Sequence, residues 1–145
     1  MEGQLVTFLN AVADTGFVVA LLNRLDVQHE SVKAIYEQTS QPILLPQTTL
    51  AEVAYLVGQA SGIATVAAFL QGLSASRFQL EALIEQDVQR VAQILKQYAD
   101  SRIDFVDASV MAVAERHRIT TIMTLDHRDF RLFRPSHCPY FELLP

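Results

Sequence analysis

Acidic residues recur in this chain at positions where a folded α/β protein would bring them together. Asp14 stands in VADTGFVV between two apolar runs, and Glu52 stands in TTLAEVAYL among Leu50, Ala51, Val53 and Ala54. Asp104 and Asp107 open DFVDASVMAVAER three residues apart, hence on one helical face, and Asp126 and Asp129 repeat the spacing in TLDHRDF. Each acid has an ordinary reading by itself. Asp14 reads as a turn or cap residue, and Glu52 as the polar side of an amphipathic helix. Asp104 reads as a helix cap with Asp107 in its favourable first turn, and Asp126 and Asp129 as turn residues. As a set they point to one site. Crowded carboxylates raise one another's pKa, and a divalent cation relieves the repulsion. An oxygen-only set with no thiolate and no paired histidines suits a hard ion such as Mg²⁺ or Mn²⁺.

The elements around these acids must deliver them to a common edge. Leu5 to Ala13 is β-compatible apart from Asn10 and leads into Asp14; Phe17 to Leu22 is apolar and opens a helical stretch. Asp26 is expected to cap a helix running through His29, Val32, Ile35 and Tyr36. Ile43 to Leu45, between Pro42 and Pro46, predicts a buried strand. Leu50, Val53, Ala54 and Val57 have helical spacing that ends near Gly58 or Gly62, and Ile63 to Leu73 continues as another helix. Phe78 to Leu83 predicts a strand, and Val88, Val91, Ala92, Leu95 and Tyr98 mark an amphipathic helix. Asp104 to Arg116 reads as a helix, Thr120 to Thr124 as a strand, and Phe141 to Leu144 as a short last strand. Alternating strands and helices predict a mostly parallel sheet covered on both faces, with residues 1–145 as one domain. In such sheets ligands bind where the strands end, which is where the acids are expected.

The bulk properties narrow the function. A chain of 145 residues that is 50% hydrophobic can bury a substantial core. A formal charge of −5 argues against coating nucleic acid by bulk electrostatics, but it allows a local basic patch. Arg102, Arg116, Arg118, Arg128, Arg131 and Arg134 supply six of the eleven basic residues, all in the last third. Arg128, Arg131 and Arg134 directly follow the last acids, so they are candidates for positioning phosphate. The lone Cys138 permits neither an internal disulfide nor a thiolate zinc site. His29, His117, His127 and His137 lack a ligand spacing and read as surface or capping residues, with His127 beside Asp126. MEGQLVTFLN has no basic region of the secretory type, and no apolar run is long enough to span a bilayer, so a cytoplasmic location is expected.

The blocks VADTGFVVALLN, TTLAEVAYL and DFVDASVMAVAERHRITTIMTLDHRDF, in that order, resemble the signature blocks of PIN-domain nucleases, most closely the VapC-like toxins of prokaryotic toxin–antitoxin pairs. The resemblance implies a three-layer α/β/α fold. Asp14, Glu52, Asp107 and Asp126 match the family's acidic quartet, with Asp104 and Asp129 as extra acids beside it. Thr124 matches the hydroxyl residue two before the last acid, and Thr15 the one after the first. The implied activity is Mg²⁺-dependent hydrolysis of RNA by metal-activated water, leaving 5′-phosphate and 3′-hydroxyl ends. The implied partners are an antitoxin protein that shields the acidic pocket and a second copy of the chain; the apolar Leu56, Val57, Val66, Phe69 and Leu70 serve the core or such a partner.

Rival readings fit less well. The Asp-Thr-Gly at Asp14 matches half of an aspartic-protease dyad, but the helical segments after it do not suit that almost wholly β fold. A phosphoaspartate receiver needs a lysine after a late strand, whereas Lys33 and Lys96 fall within helices. A haloacid-dehalogenase-like phosphatase needs Asp-x-Asp where this chain has Asp14-Thr15-Gly16. A catalytically silent PIN-like binding module and an RNA-processing nuclease outside toxin–antitoxin function stay open.

Overall fold

The computed structural model describes residues 11–145. The strands β1 (Ala11–Ala13), β2 (Ile43–Pro46), β3 (Phe78–Glu81), β4 (Thr121–Met123) and β5 (Glu142–Leu144) form one five-stranded sheet in the order β3-β2-β1-β4-β5. All four pairings are parallel, as in Ala11 opposite Ile43 on one side and Thr121 on the other. The helices are α1 (Thr15–Leu22), α2 (His29–Gln38), α3 (Thr49–Ser61), α4 (Ile63–Gly72), α5 (Glu85–Gln97), α6 (Phe105–Arg116) and α7 (His127–Leu132).

Side chains alternate across a strand, and here both faces of the central strands are buried. Val12, Leu44 and Ile122 face one core, filled by Val91 and Ile94 of α5, Val110 and Met111 of α6, and Phe130, Phe133 and Phe141. Ala11, Ala13, Ile43, Leu45 and Met123 face the other, filled by Phe17 and Val18 of α1, Val32 of α2, Val53 and Val57 of α3 and Val66 of α4. The result is the three-layer α/β/α arrangement expected from the sequence. Gly62, at φ 91°, makes the left-handed step that ends α3 and starts α4. Among the described residues no helix is long and apolar enough to cross a membrane.

Of three local expectations, one is not reached by the described residues and two differ from the structure. The Leu5–Asn10 part of the first predicted strand lies outside the described residues, whose part of β1 is Ala11–Ala13. Asp26 does not cap α2: its side chain accepts the Gln28 N–H at 2.8 Å, closing a turn of its own, and the helix starts after Gln28. The acids of LDHRDF are not in a turn but start a helix, α7, with Asp126 as its cap.

Strand order reverses around β1. The chain steps outward from β1 to β2 and β3, then returns to the far side of β1 for β4 and β5. Loops leaving β1 and β4 therefore diverge and open a crevice at their C-terminal ends, with Asp14 directly after β1 and Asp126 shortly after β4. Helix α7 holds the β4 side of that crevice, and Phe130 fixes it to the core with a fully buried ring. Phe130→Ala is expected to destabilise the protein by about 3–5 kcal/mol. Urea denaturation followed by circular dichroism measures this, and a loss below about 1 kcal/mol would show that α7 is not anchored through this ring.

Candidate active site

Four helix N-termini converge at the crevice; α1, α6 and α7 bring acids held by capping bonds, and α3 brings Glu52 in its first turn. Asp14 caps α1, its Oδ1 accepting the Phe17 N–H at 3.0 Å, while its own N–H donates to the Met123 carbonyl at 3.1 Å. Glu52 lies in the first turn of α3 and accepts the Thr15 hydroxyl on Oε1 at 2.7 Å. Asp104 and Asp107 form a reciprocal capping box on α6: the Asp107 N–H donates to Asp104 Oδ1 at 2.9 Å, and the Asp104 N–H donates to Asp107 Oδ2 at 3.2 Å. Asp126 caps α7 by accepting the Asp129 N–H at 3.1 Å. Thr124 joins two of these elements. Its hydroxyl donates to Asp14 Oδ2 and accepts the Asp126 N–H at 2.8 Å. Thr48 and Ser109 share a 2.5 Å hydrogen bond that ties the start of α3 to α6.

Asp14, Glu52, Asp107 and Asp126 line one cavity of about 320 Å³ with Thr15, Gly16, Val106 and Leu125. Carboxylate oxygens of Asp107, Asp126 and Asp129 also lie within 4.8 Å of one another. The two groupings overlap at Asp107 and Asp126, so Asp129 adjoins the quartet, whereas Asp104 is exposed and holds Asp107 from behind. Val106, Leu125 and Gly16 were not singled out from the sequence. Val106 and Leu125 are immediate neighbours of acids that were, and Gly16 is two residues from Asp14. A larger hollow of about 730 Å³, lined by residues such as Leu70, Arg77, Phe78 and Leu80, has no carboxylate in its walls among the described residues.

The histidines and arginines divide by role. His29 is buried, not superficial, with Nδ1 2.8 Å from the Ala20 carbonyl, and His137 Nε2 lies 2.7 Å from the Ile119 carbonyl. Arg116 is tied to Glu81 and Asp87, each at 2.9 Å, which removes it from the basic set available to a ligand. Arg128, Arg131 and Arg134 are exposed on and just after α7.

The sequence matches the PIN domain family over residues 11–134. Among characterised proteins it is 28% identical over 134 residues to Ribonuclease VapC26 of Mycobacterium tuberculosis, covering 92% of this chain and 99% of that one. The fold resembles M. tuberculosis VapC20, described as a sarcin–ricin loop cleaving toxin (TM-score 0.77, 20% identity, covering 93% of this chain and 99% of that one). It also resembles a chain of a toxin–antitoxin complex from Klebsiella pneumoniae (TM-score 0.67, 20% identity, covering 90% and 98%).

The site is electrostatically uncompensated. Among the described residues no lysine, arginine or histidine lines the acidic cavity. Burial pushes the Asp14 carboxyl up to about 6 against the opposing hydrogen bonds from Thr124 and Phe17, with Asp126 and Glu52 adding repulsion. Burial, with Asp104 and Asp126 nearby, pushes Asp107 up to about 8. Asp129 is raised too, first by burial and then by Asp126. A cavity walled by carboxylate oxygens that resist ionising together suits a hard divalent cation. The sign follows by linkage. Carboxyls whose folded pKa is raised favour the protonated fold, so without metal their contribution is lost as pH rises from about 4 to about 8. In EDTA the melting temperature should fall across that window, and added Mg²⁺ should raise it more at pH 8 than at pH 5. Thermal unfolding at both pH values measures this; an equal Mg²⁺ effect at the two would mean these carboxyls do not bind the ion.

Proposed function

This chain belongs to the PIN domain family, and on that footing we propose that it is a divalent-metal-dependent endoribonuclease, the toxin of a toxin–antitoxin pair, acting as one domain in the cytoplasm. The observation that carries the reading is the convergence of Asp14, Glu52, Asp107 and Asp126, from four separate segments, on one cavity lined by no basic side chain among the described residues. Its likeness to a protein named as a ribonuclease supports RNA as the substrate.

Asp14, Asp107 and Asp126 would hold Mg²⁺ or Mn²⁺, with Asp129 beside them and Asp104 holding Asp107 in place. A bound ion of this kind supplies an acidified water and charge neutralisation at the phosphate. The protein contributes orientation. Thr124 locks Asp14 to the Asp126 backbone, and Thr15 turns Glu52 so that one oxygen is occupied. Among the described residues Glu52 Oε2 accepts no hydrogen bond, which leaves it able to take the proton of the attacking water. The nucleophile would be water acidified by the ion, so neither a protein side chain nor the RNA 2′-hydroxyl would attack, and the products would carry 5′-phosphate and 3′-hydroxyl ends.

An antitoxin partner is supported by the toxin–antitoxin complex among the structural relatives. A homodimer is supported by exposed apolar side chains on α3 and α4: Tyr55, Leu56, Ile63 and Leu70.

Asp14→Asn should reduce Mg²⁺-dependent RNA cleavage by about 10³-fold or more, the order expected when a catalytic electrostatic group is removed, while leaving the circular dichroism spectrum unchanged. Wild-type products should show 5′-phosphate ends by mass spectrometry. Cleavage by the variant at the wild-type rate, or a 2′,3′-cyclic phosphate product, would sink this assignment. A wild-type protein that binds RNA without cutting it in Mg²⁺ or Mn²⁺ would instead mark a silent binding module.

A further inference from the structure

Beside the acidic cavity lies a second hollow of opposite character. It has a volume of about 680 Å³ and is bounded by Tyr98, Ser101 and Arg102 on one side and by Arg128, Asp129, Arg131 and Arg134 on the other. Two chain segments far apart in sequence therefore build it: the loop between α5 and α6, and helix α7 with its exit. Asp129 is the hinge between the two hollows, lining the basic one while its carboxylate belongs to the cluster with Asp107 and Asp126. Arg102 is close enough to act electrostatically on Asp129, opposing the rise in its pKa.

The cleft is held in shape. The Tyr98 hydroxyl accepts the Arg134 N–H at 3.0 Å, and its ring packs on Phe133 with centroids 5.6 Å apart. Ser101 donates to the Tyr98 carbonyl at 2.7 Å and accepts the Ile103 N–H at 3.1 Å, which fixes the loop carrying Arg102. Arg134 donates to the Arg131 carbonyl at 2.6 Å. Among the described residues Arg102, Arg128, Arg131 and Arg134 make no ion pair, whereas Arg90 and Arg116 are both bound to carboxylates. Four guanidinium groups face a cleft whose acids are Asp100 and Asp129, so it is locally positive on a chain of net charge −5.

We propose that this cleft is a strand-binding subsite in which Arg102, with the arginines of α7, seats backbone phosphates of single-stranded RNA flanking the phosphate cut at Asp107 and Asp126. The inference rests on the nuclease reading and adds to it a path: the RNA leaves the carboxylates over Asp129 and runs between α7 and the loop before α6. Substrate must then extend to that side, and a dinucleotide, which cannot reach the cleft, should be a poor one. An acidic peptide is the competing ligand; RNA is favoured because the cleft shares Asp129 with the carboxylate cluster of Asp107 and Asp126, where phosphate would be cut.

The test uses the Asp14→Asn protein with Mg²⁺ present, measuring affinity for a fluorescent single-stranded RNA by anisotropy across about 50 to 200 mM salt. Each phosphate contact contributes about −0.7 to the slope of log affinity against log salt. Adding Arg102→Ala should make the slope shallower by about that amount and weaken binding several-fold at low salt. Arg118→Gln, which removes the same charge at the far end of α6, should leave the slope unchanged. Equal changes for the two variants, or none for Arg102→Ala, overturn the proposal even if the wild-type protein still cuts RNA. Binding of a polyglutamate peptide that depends on Arg102, with RNA affinity indifferent to it, overturns it in favour of a protein ligand. Absence of RNA cleavage by the wild-type protein is a separate result and removes the nuclease reading itself.

Discussion

A carboxylate buried at the end of the central strand sets the conditions for the rest of the molecule. Asp14 is almost fully withdrawn from water, and an ionised group there costs several kcal/mol unless something compensates for it. The surrounding structure supplies partial compensation only: the Thr124 hydroxyl, the Phe17 N–H and the positive end of α1. Among the described residues no guanidinium or ammonium group completes it, and Glu52 and Asp126 aggravate it. A fold that retains this arrangement carries a standing demand for positive charge from outside the chain.

How that demand is shaped can be followed oxygen by oxygen. Each carboxylate oxygen has two acceptor positions. Asp126 gives one oxygen to the start of α7, Asp107 gives one to the Asp104 N–H, and Glu52 gives one to Thr15. Each thus spends a single oxygen on holding itself in place and keeps the other for the cavity. Asp14 uses both, but with one bond apiece, so it retains acceptor capacity while being the most rigidly fixed of the set. Capping therefore does two things with one residue. It satisfies first-turn N–H groups of α1, α6 and α7, and it immobilises their acids at a common point without exhausting them.

The large pattern was legible in the sequence because it depends on short-range rules. Strand and helix alternation, the buried Ile43–Leu45 run and the Asp104–Arg116 helix follow from periodicity, and parallel topology then puts strand ends and helix starts at one edge. What escaped depends on competition between neighbouring hydrogen bonds or on tertiary partners. Asp26 looks like a helix cap, yet its side chain is captured by Gln28 two residues on, and the helix begins later. LDHRDF is too short to show a helical period, and α7 exists because Asp126 caps it and Phe130 is buried beneath it. His29 offers no sequence sign of burial, since its partner is the carbonyl of Ala20 across a turn. Arg102 belongs to this class as well. Twenty-five or more residues lie between it and the arginines it faces, and only tertiary contacts such as those of Tyr98 with Phe133 and Arg134 bring them together.

The same packing explains how an acidic protein presents a basic surface. Arg90 and Arg116 bind Glu115, Asp87 and Glu81, joining α5, α6 and the end of β3. Those carboxylates are thereby neutralised inside the structure and add little to the external field. The arginines of the α7 cleft have no such partners among the described residues, so their charge projects into solvent beside the uncompensated carboxylates. Opposite fields placed side by side at low-dielectric walls act on a polyanion differently along its length. The arginines attract the chain of phosphates, and the carboxylates repel it unless a cation is seated. On the proposed function, strand capture and metal occupancy would be coupled by this geometry, because a phosphate could approach the acids only once an ion had offset their charge.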